Sequence, residues 1–278
     1  MLTHRKQRVA RGIIFSFLLI ISLMNLSPGA FAFYASLKGT IEFARDMYSW
    51  PQQIDFQNYR TLIAGEHYGR YIMNSAILTI ISTAIALFVA TMAAYAFAWG
   101  KFPGRRPLFN LNIALMAIPP IVVIIPIFLQ MTRLKLINTF PSAMIAYVGF
   151  ILPFSIFILT GYFFSLPREL LEAARVDGAS RFQTLIHIVL PMAKAPLMTL
   201  AVINGLWVWN ELLIALLFLQ DNELRTLMVS LSFHRGKDMQ DVPIIMAGAI
   251  LSSIPTLATI AFAQRFIVRG FLGGAIKG

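Results

Sequence analysis

The sequence predicts an all-α membrane protein: six transmembrane helices, with a helical cytoplasmic coupling segment between spans 4 and 5. Three observations lead there. Hydrophobic residues make up 58% of the chain and charged residues 13%, against roughly 25% charged in soluble domains. The apolar residues gather into runs of about twenty or more, long enough to cross a hydrocarbon core of ~30 Å. None of the runs shows the alternation, about ten residues long, of a transmembrane β-barrel strand.

The predicted spans are 12–35, 72–99, 108–131, 142–164, 196–219 and 243–264. Span 1 follows a basic stretch, and Ala30-Phe31-Ala32 has the small-x-small pattern of a signal-peptidase site. It is nevertheless read as an uncleaved span. Prolines 119, 120, 126, 153 and 255 fall inside runs. Neighbouring helices and hydroxyl side chains satisfy the backbone groups that such prolines free in a membrane bundle. The runs stand too close together for a separate soluble domain, so 1–278 is read as one transmembrane domain.

The net charge of +11 is distributed unevenly. With both termini cytoplasmic, the inner segments hold fourteen basic and three acidic residues, the outer segments nine and eight. That asymmetry follows the positive-inside rule. It also argues against nucleic-acid binding, since no basic module with interleaved aromatics lies outside the spans. The outer loops are then 38–70, 132–141 and 220–242, and the inner ones 100–107 and 165–195. There is no cysteine, which excludes disulfides, thiolate metal sites and thiol catalysis. His187 and His234 have no second histidine at ligand spacing, so no metal is assigned.

The inner loop 165–195 is the most informative stretch. A short polar crossing needs only a handful of residues, yet this one carries a helical pattern. Pro167 suits a helix start. Glu169 and Glu172 sit near the positive end of the dipole. Ala173 and Ala174 are small enough for another surface to approach. Gly178 can take the left-handed conformation that ends a helix, and Asp177 and Ser180 can each cap the next one. Leu185, Ile188 and Val189 are spaced to lie on the membrane or the bundle. From the residues alone, the segment is either a coupling element on which a partner pushes or an interfacial helix that merely packs.

Glu211 is the single charge placed deep in a span, at a cost of a few kcal/mol on insertion scales. Two readings stand. With Trp207, Trp209 and Asn210 it lines a polar path, or it makes an interhelical hydrogen bond that orients span 5. Asn74, Ser75, Thr79 and Asn112 are read as packing hydrogen bonds. Loop 220–242 either reaches toward a partner or is a solvated surface loop.

The run Glu172-Ala173-Ala174, then Asp177-Gly178-Ala179, then Ile188-Val189-Leu190-Pro191 resembles the signature loop of permease subunits of binding-protein-dependent ABC importers. Trp207-Val208-Trp209-Asn210-Glu211 and the tail from Val268-Arg269-Gly270 to Lys277-Gly278 resemble the sugar-importing branch, the smaller permease of the maltose type. The resemblance implies a bacterial or archaeal plasma membrane location. Its implied partners are a second permease of similar core, two copies of an ABC ATPase subunit and an extracytoplasmic sugar-binding protein. ATP and Mg would sit on the ATPase, with no cofactor on this chain. Glu172, Ala173, Ala174, Asp177, Gly178 and Ala179 would contact the ATPase, and Arg269, Gly270 and Lys277 of the tail would reach it too. The chain has no Gly-x-x-x-x-Gly-Lys-Ser/Thr run of its own, so it is not expected to be an enzyme. The alternative reading is a secondary transporter or channel not driven by ATP, which usually carries more intramembrane charge or paired broken helices.

Overall fold

The computed structural model describes residues 2–65, 67–233 and 241–275. Among them the architecture is all-helical, without strands. The helices are α1 (Leu2–Ser36), α2 (Thr40–Arg45), α3 (Gln57–Gly65), α4 (Tyr68–Trp99), α5 (Arg105–Leu115), α6 (Pro120–Arg133) and α7 (Phe140–Phe164). Then follow α8 (Arg168–Val176), α9 (Arg181–Thr184), a π-turn (Leu185–Val189), α10 (Leu190–Met192), α11 (Lys194–Asn210), α12 (Leu213–Phe218), α13 (Leu227–Ser232) and α14 (Val242–Ala275). Among the described residues four helical stretches are long and apolar enough to cross a bilayer: Arg11–Ser36, Tyr68–Trp99, Phe140–Phe164 and Val242–Phe262. Two bent pairs raise the number to six if each is one span.

Those bends correct two predicted spans. The run 108–131 is not one helix: α5 and α6 meet at 102°. Pro119 stands extended at the end of the break and Pro120 opens α6. Each proline disfavours helical conformation in the residue before it, and Pro120 suits the first helical position. The run 196–219 is also interrupted. Helix α11 starts earlier, at Lys194, after a 76° bend from the Arg181–Met192 stretch. It ends at Asn210, Glu211 is extended (φ −74°, ψ 129°), and α12 resumes at Leu213.

The chain divides into two compact units, residues 1–68 with 231–254 and residues 69–230 with 255–278. In the first, α1 exposes apolar side chains from Ile13 to Leu26, and the following loop folds around Lys38, which is fully buried. Its ammonium donates to the Asp46 carbonyl at 2.9 Å and the Ser49 hydroxyl at 3.1 Å. Asn58 donates to the carbonyls of Ser36 and Lys38, both at 2.8 Å, which satisfies the carbonyl left open at the last residue of α1 and one just beyond it.

In the second unit two buried clusters hold the helices. One gathers Leu78, Ile124, Tyr147, Val208, Ile214 and Phe218. The other gathers Ala90, Ala94 and Ala98 of α4 with Leu159, Phe163, Leu171, Leu185, Val189 and Leu200. The alanines recur every four residues, a small-residue stripe that lets helices approach closely where lipid offers no hydrophobic driving force. Asn204 donates to Ser155 at 2.8 Å between α11 and α7, and Asn112 donates to the Pro153 carbonyl at 3.0 Å. Residues 221–230 are not a freely solvated loop. Asn74 donates to the carbonyls of Glu223 and Arg225, the Leu227 amide donates to Ser75, and Leu227 and Val229 are fully buried.

Candidate functional site

Helix α8 begins directly after Pro167 and runs to Val176. Gly178 then adopts φ +77°. The Ala179 amide reaches back to the Ala174 carbonyl at 2.9 Å, the long bond of a Schellman ending. Ser180, not Asp177, caps the next helix. Its hydroxyl accepts from the Gln183 amide, while the Gln183 side chain accepts from the Ser180 amide at 2.8 Å. This reciprocal capping box satisfies two donors that the helix start would otherwise leave unpaired. The result is a sharp helix–glycine–helix corner whose shape is set by local chemistry.

The corner has an inner and an outer face. Glu172, Ala173, Asp177 and Gly178 are exposed, and Val176 is 87% exposed although apolar. Ala174 is different. It is 4% exposed, turned inward and covered by the chain itself, so the Ala-Ala pair does not present one surface. Ala179 is half-buried. Leu171, Leu185 and Val189 anchor the segment against the ends of α4 and α7, and the Tyr162 hydroxyl donates to the Met192 carbonyl at 2.7 Å. The segment is thus held on its inner face by α4 and α7.

The sequence did not reveal the π-turn over Leu185–Val189. Here the Leu190 amide reaches Leu185, five residues back. Pro191 supplies the reason, since in a regular helix its ring would clash with the carbonyl four residues earlier. A widened turn before a proline is the signal that marks it.

Glu211 sits at the helix break rather than inside a continuous helix. Its carboxyl oxygens accept from the amides of Leu213 (2.7 Å), Ile214 (2.9 and 3.0 Å) and Ala215 (3.3 Å). The Tyr147 hydroxyl of α7 donates to it at 3.2 Å. Asn210 turns away and donates to the Leu206 carbonyl of its own helix. The two tryptophans also part. Trp207 packs edge-on to Tyr147 and lines a cavity of about 570 Å³ beside the α5–α6 break, together with Gln130 and Asn204. Trp209 lines a separate cavity of about 460 Å³ with Thr79, Thr83 and Thr256. The structure thus brings Trp207 near Glu211 through Tyr147 but does not gather all four residues on one wall.

Among the described residues no three His, Cys, Asp or Glu side chains come together to hold a metal. Arg269 and Gly270 lie within the backbone of α14, but their side chains, like Lys277, fall outside the described residues, as do His234 and Met239.

Residues 85–272 match the family model described as binding-protein-dependent transport system inner membrane component. A putative ABC transporter permease protein, ORF2, of Caldicellulosiruptor sp. (strain Rt8B.4) is 36% identical, over 95% of this chain and 96% of the relative. The trehalose transport system permease protein SugB of Mycobacterium tuberculosis (strain CDC 1551 / Oshkosh) is 33% identical, over 91% and 93%. The fold matches a subunit of a solved bacterial ABC transporter involved in the import of the acidic polysaccharide alginate, with a TM-score of 0.80. That match covers 94% of this chain and 97% of the other at 24% identity.

Proposed function

This chain belongs to the family of inner membrane components of binding-protein-dependent transport systems, and on that premise we propose how it works within an importer. It is a multi-pass membrane permease of an ATP-driven importer, not an enzyme. Our reading is that α1, α4, the bent pair α5–α6, α7, the interrupted pair α11–α12 and α14 make six spans, with both termini cytoplasmic. The α8–α9 corner then faces the cytoplasm.

The observation that carries the reading is that corner: a locally specified helix–glycine–helix element, exposed on one face and anchored on the other to α4 and α7. An ATPase subunit docks on Glu172, Ala173, Val176, Asp177 and Gly178. Ala174 and Ala179 serve from beneath, by packing and by closing the turn. Movement of the ATPase tilts the corner, and its anchors carry the tilt into the spans. The tail with Arg269, Gly270 and Lys277 gives the ATPase pair a second contact. A second permease completes the path, an external binding protein delivers the cargo, and ATP and Mg reside on the ATPase. The cargo is a carbohydrate, which the named substrate of the trehalose relative supports. Trp207 beside its 570 Å³ cavity is the best-placed wall for a sugar ring on this chain. Family membership replaces the autonomous transporter or channel reading.

The test is reconstitution. The complex purified through this chain should contain an ABC ATPase and a second permease. In proteoliposomes, labelled oligosaccharide uptake should require ATP and the binding protein. Uptake driven by an ion gradient alone, without ATPase, overturns the proposal.

A further inference from the structure

We propose that the loop after α1 is a lipid-headgroup anchor, in which Tyr34, Tyr48 and Trp50 form an aromatic collar seated at the membrane–water interface. The placement follows from length. From Gly12, just past Arg11, to Tyr34 a helix rises about 33 Å, close to the ~30 Å of a hydrocarbon core. The stretch between exposes Ile13, Phe17, Leu23 and Leu26, an apolar surface that only lipid or another span can meet. Tyr34 therefore stands where the hydrocarbon ends.

The loop brings two more rings to that level. Trp50 stacks on Tyr34, with centroids 5.8 Å apart and planes at 26°. Tyr48 lies 6.1 Å from Phe31, one turn earlier on α1. The Tyr34 hydroxyl donates to the Met47 carbonyl at 3.3 Å. Yet Tyr48 is 78% and Trp50 79% exposed, so these rings use one face on α1 and leave the other open. Tyrosine and tryptophan favour the interface because they are apolar bodies with a polar edge. The geometry is also held firmly. Buried Lys38 binds the Asp46 carbonyl and the Ser49 hydroxyl, with the Tyr34 ring 5.4 Å away. The Asp46 carboxyl accepts from the amides of Tyr48 and Ser49. A loop pinned by a buried cation, carrying outward aromatic rings at the end of an apolar span, fits a lipid surface. It fits a water-facing loop poorly, because two large rings would stay wet.

The test compares the assembled complex in lipid vesicles with the same complex carrying Trp50→Phe, so that the difference in fluorescence reports Trp50. Nitroxide lipids labelled near the headgroup should quench that difference at least twofold more than lipids labelled at chain mid-depth, and aqueous iodide should quench it weakly. Strong iodide quenching without lipid quenching places the ring in water and overturns the proposal. Protection from all three quenchers means a protein partner covers the collar, and overturns it equally. If Trp50→Phe does not assemble, a nitroxide on Tyr48→Cys serves instead: collisions with oxygen should exceed those with a water-soluble nickel chelate, and the reverse order overturns the assignment.

Discussion

The Tyr147 hydroxyl donates to Glu211 at 3.2 Å, joining the N-terminal part of α7 to the point where α11 breaks. The same carboxyl closes the open start of α12 by accepting three backbone amides. One acid thus ends one helix, begins the next and ties both to a neighbour.

This arrangement separates substitutions at Glu211. Glu211→Gln keeps one acceptor oxygen, so part of the cap survives, and substantial uptake is expected. Glu211→Ala leaves the amides of Leu213 and Ile214 without a partner, at about 1–3 kcal/mol for a buried donor. It should lower thermal stability of the solubilised complex and reduce uptake further than Gln. Tyr147→Phe removes only the interhelical bond, a loss of roughly 0.6 kcal/mol by the average for such bonds in membranes. Abolished transport in Glu211→Gln, with assembly and ATPase activity intact, would show that the charge itself takes part in translocation.

Asn74 should control the order of residues 223–227. It donates to two carbonyls there, at 2.8 and 2.9 Å. Asn74→Ala removes both bonds, and amide exchange in this segment should accelerate at least tenfold while α4 stays protected. Unchanged exchange would mean that Ser75 and the buried Leu227 hold the segment alone.

Sidedness gives a third prediction. A cysteine at Ser180 should react with impermeant maleimide only from the cytoplasmic face, and one at Ser232 only from outside. The reverse pattern would overturn the proposed topology and the docking of an ATPase on α8.

The readable and the unreadable parts of this chain differ in physical range. Apolar run length is a local property, and the four uninterrupted spanning stretches lie where composition places them. Gly178 and Ser180 act on neighbours within a few residues, so their geometry was legible too. The breaks were not. Pro119 and Pro120 were visible, but whether a membrane bundle absorbs prolines or bends at them depends on what packs alongside. Glu211 read as a buried charge in a helix because its competing partners, the amides just beyond it, become free only once the helix has broken. Ala174 could not be told from Ala173 without knowing which face of α8 meets the bundle. The burial of Lys38 was not legible, since the carbonyl and hydroxyl that hold it come from a fold of the loop itself.

The central claim is that the exposed α8–α9 corner transmits ATPase motion. Gly178→Val tests it most directly. A Cβ at Gly178 meets nothing within 4 Å, so the substitution acts through backbone conformation alone, at roughly 1–2 kcal/mol for a left-handed L-residue. Gly178→Asn, which tolerates that conformation, is the matched control. In proteoliposomes containing the whole complex, ATP-driven uptake should fall at least tenfold for Val and remain near the parent level for Asn, with equal insertion of both. Parent-level uptake in the valine variant would contradict the account.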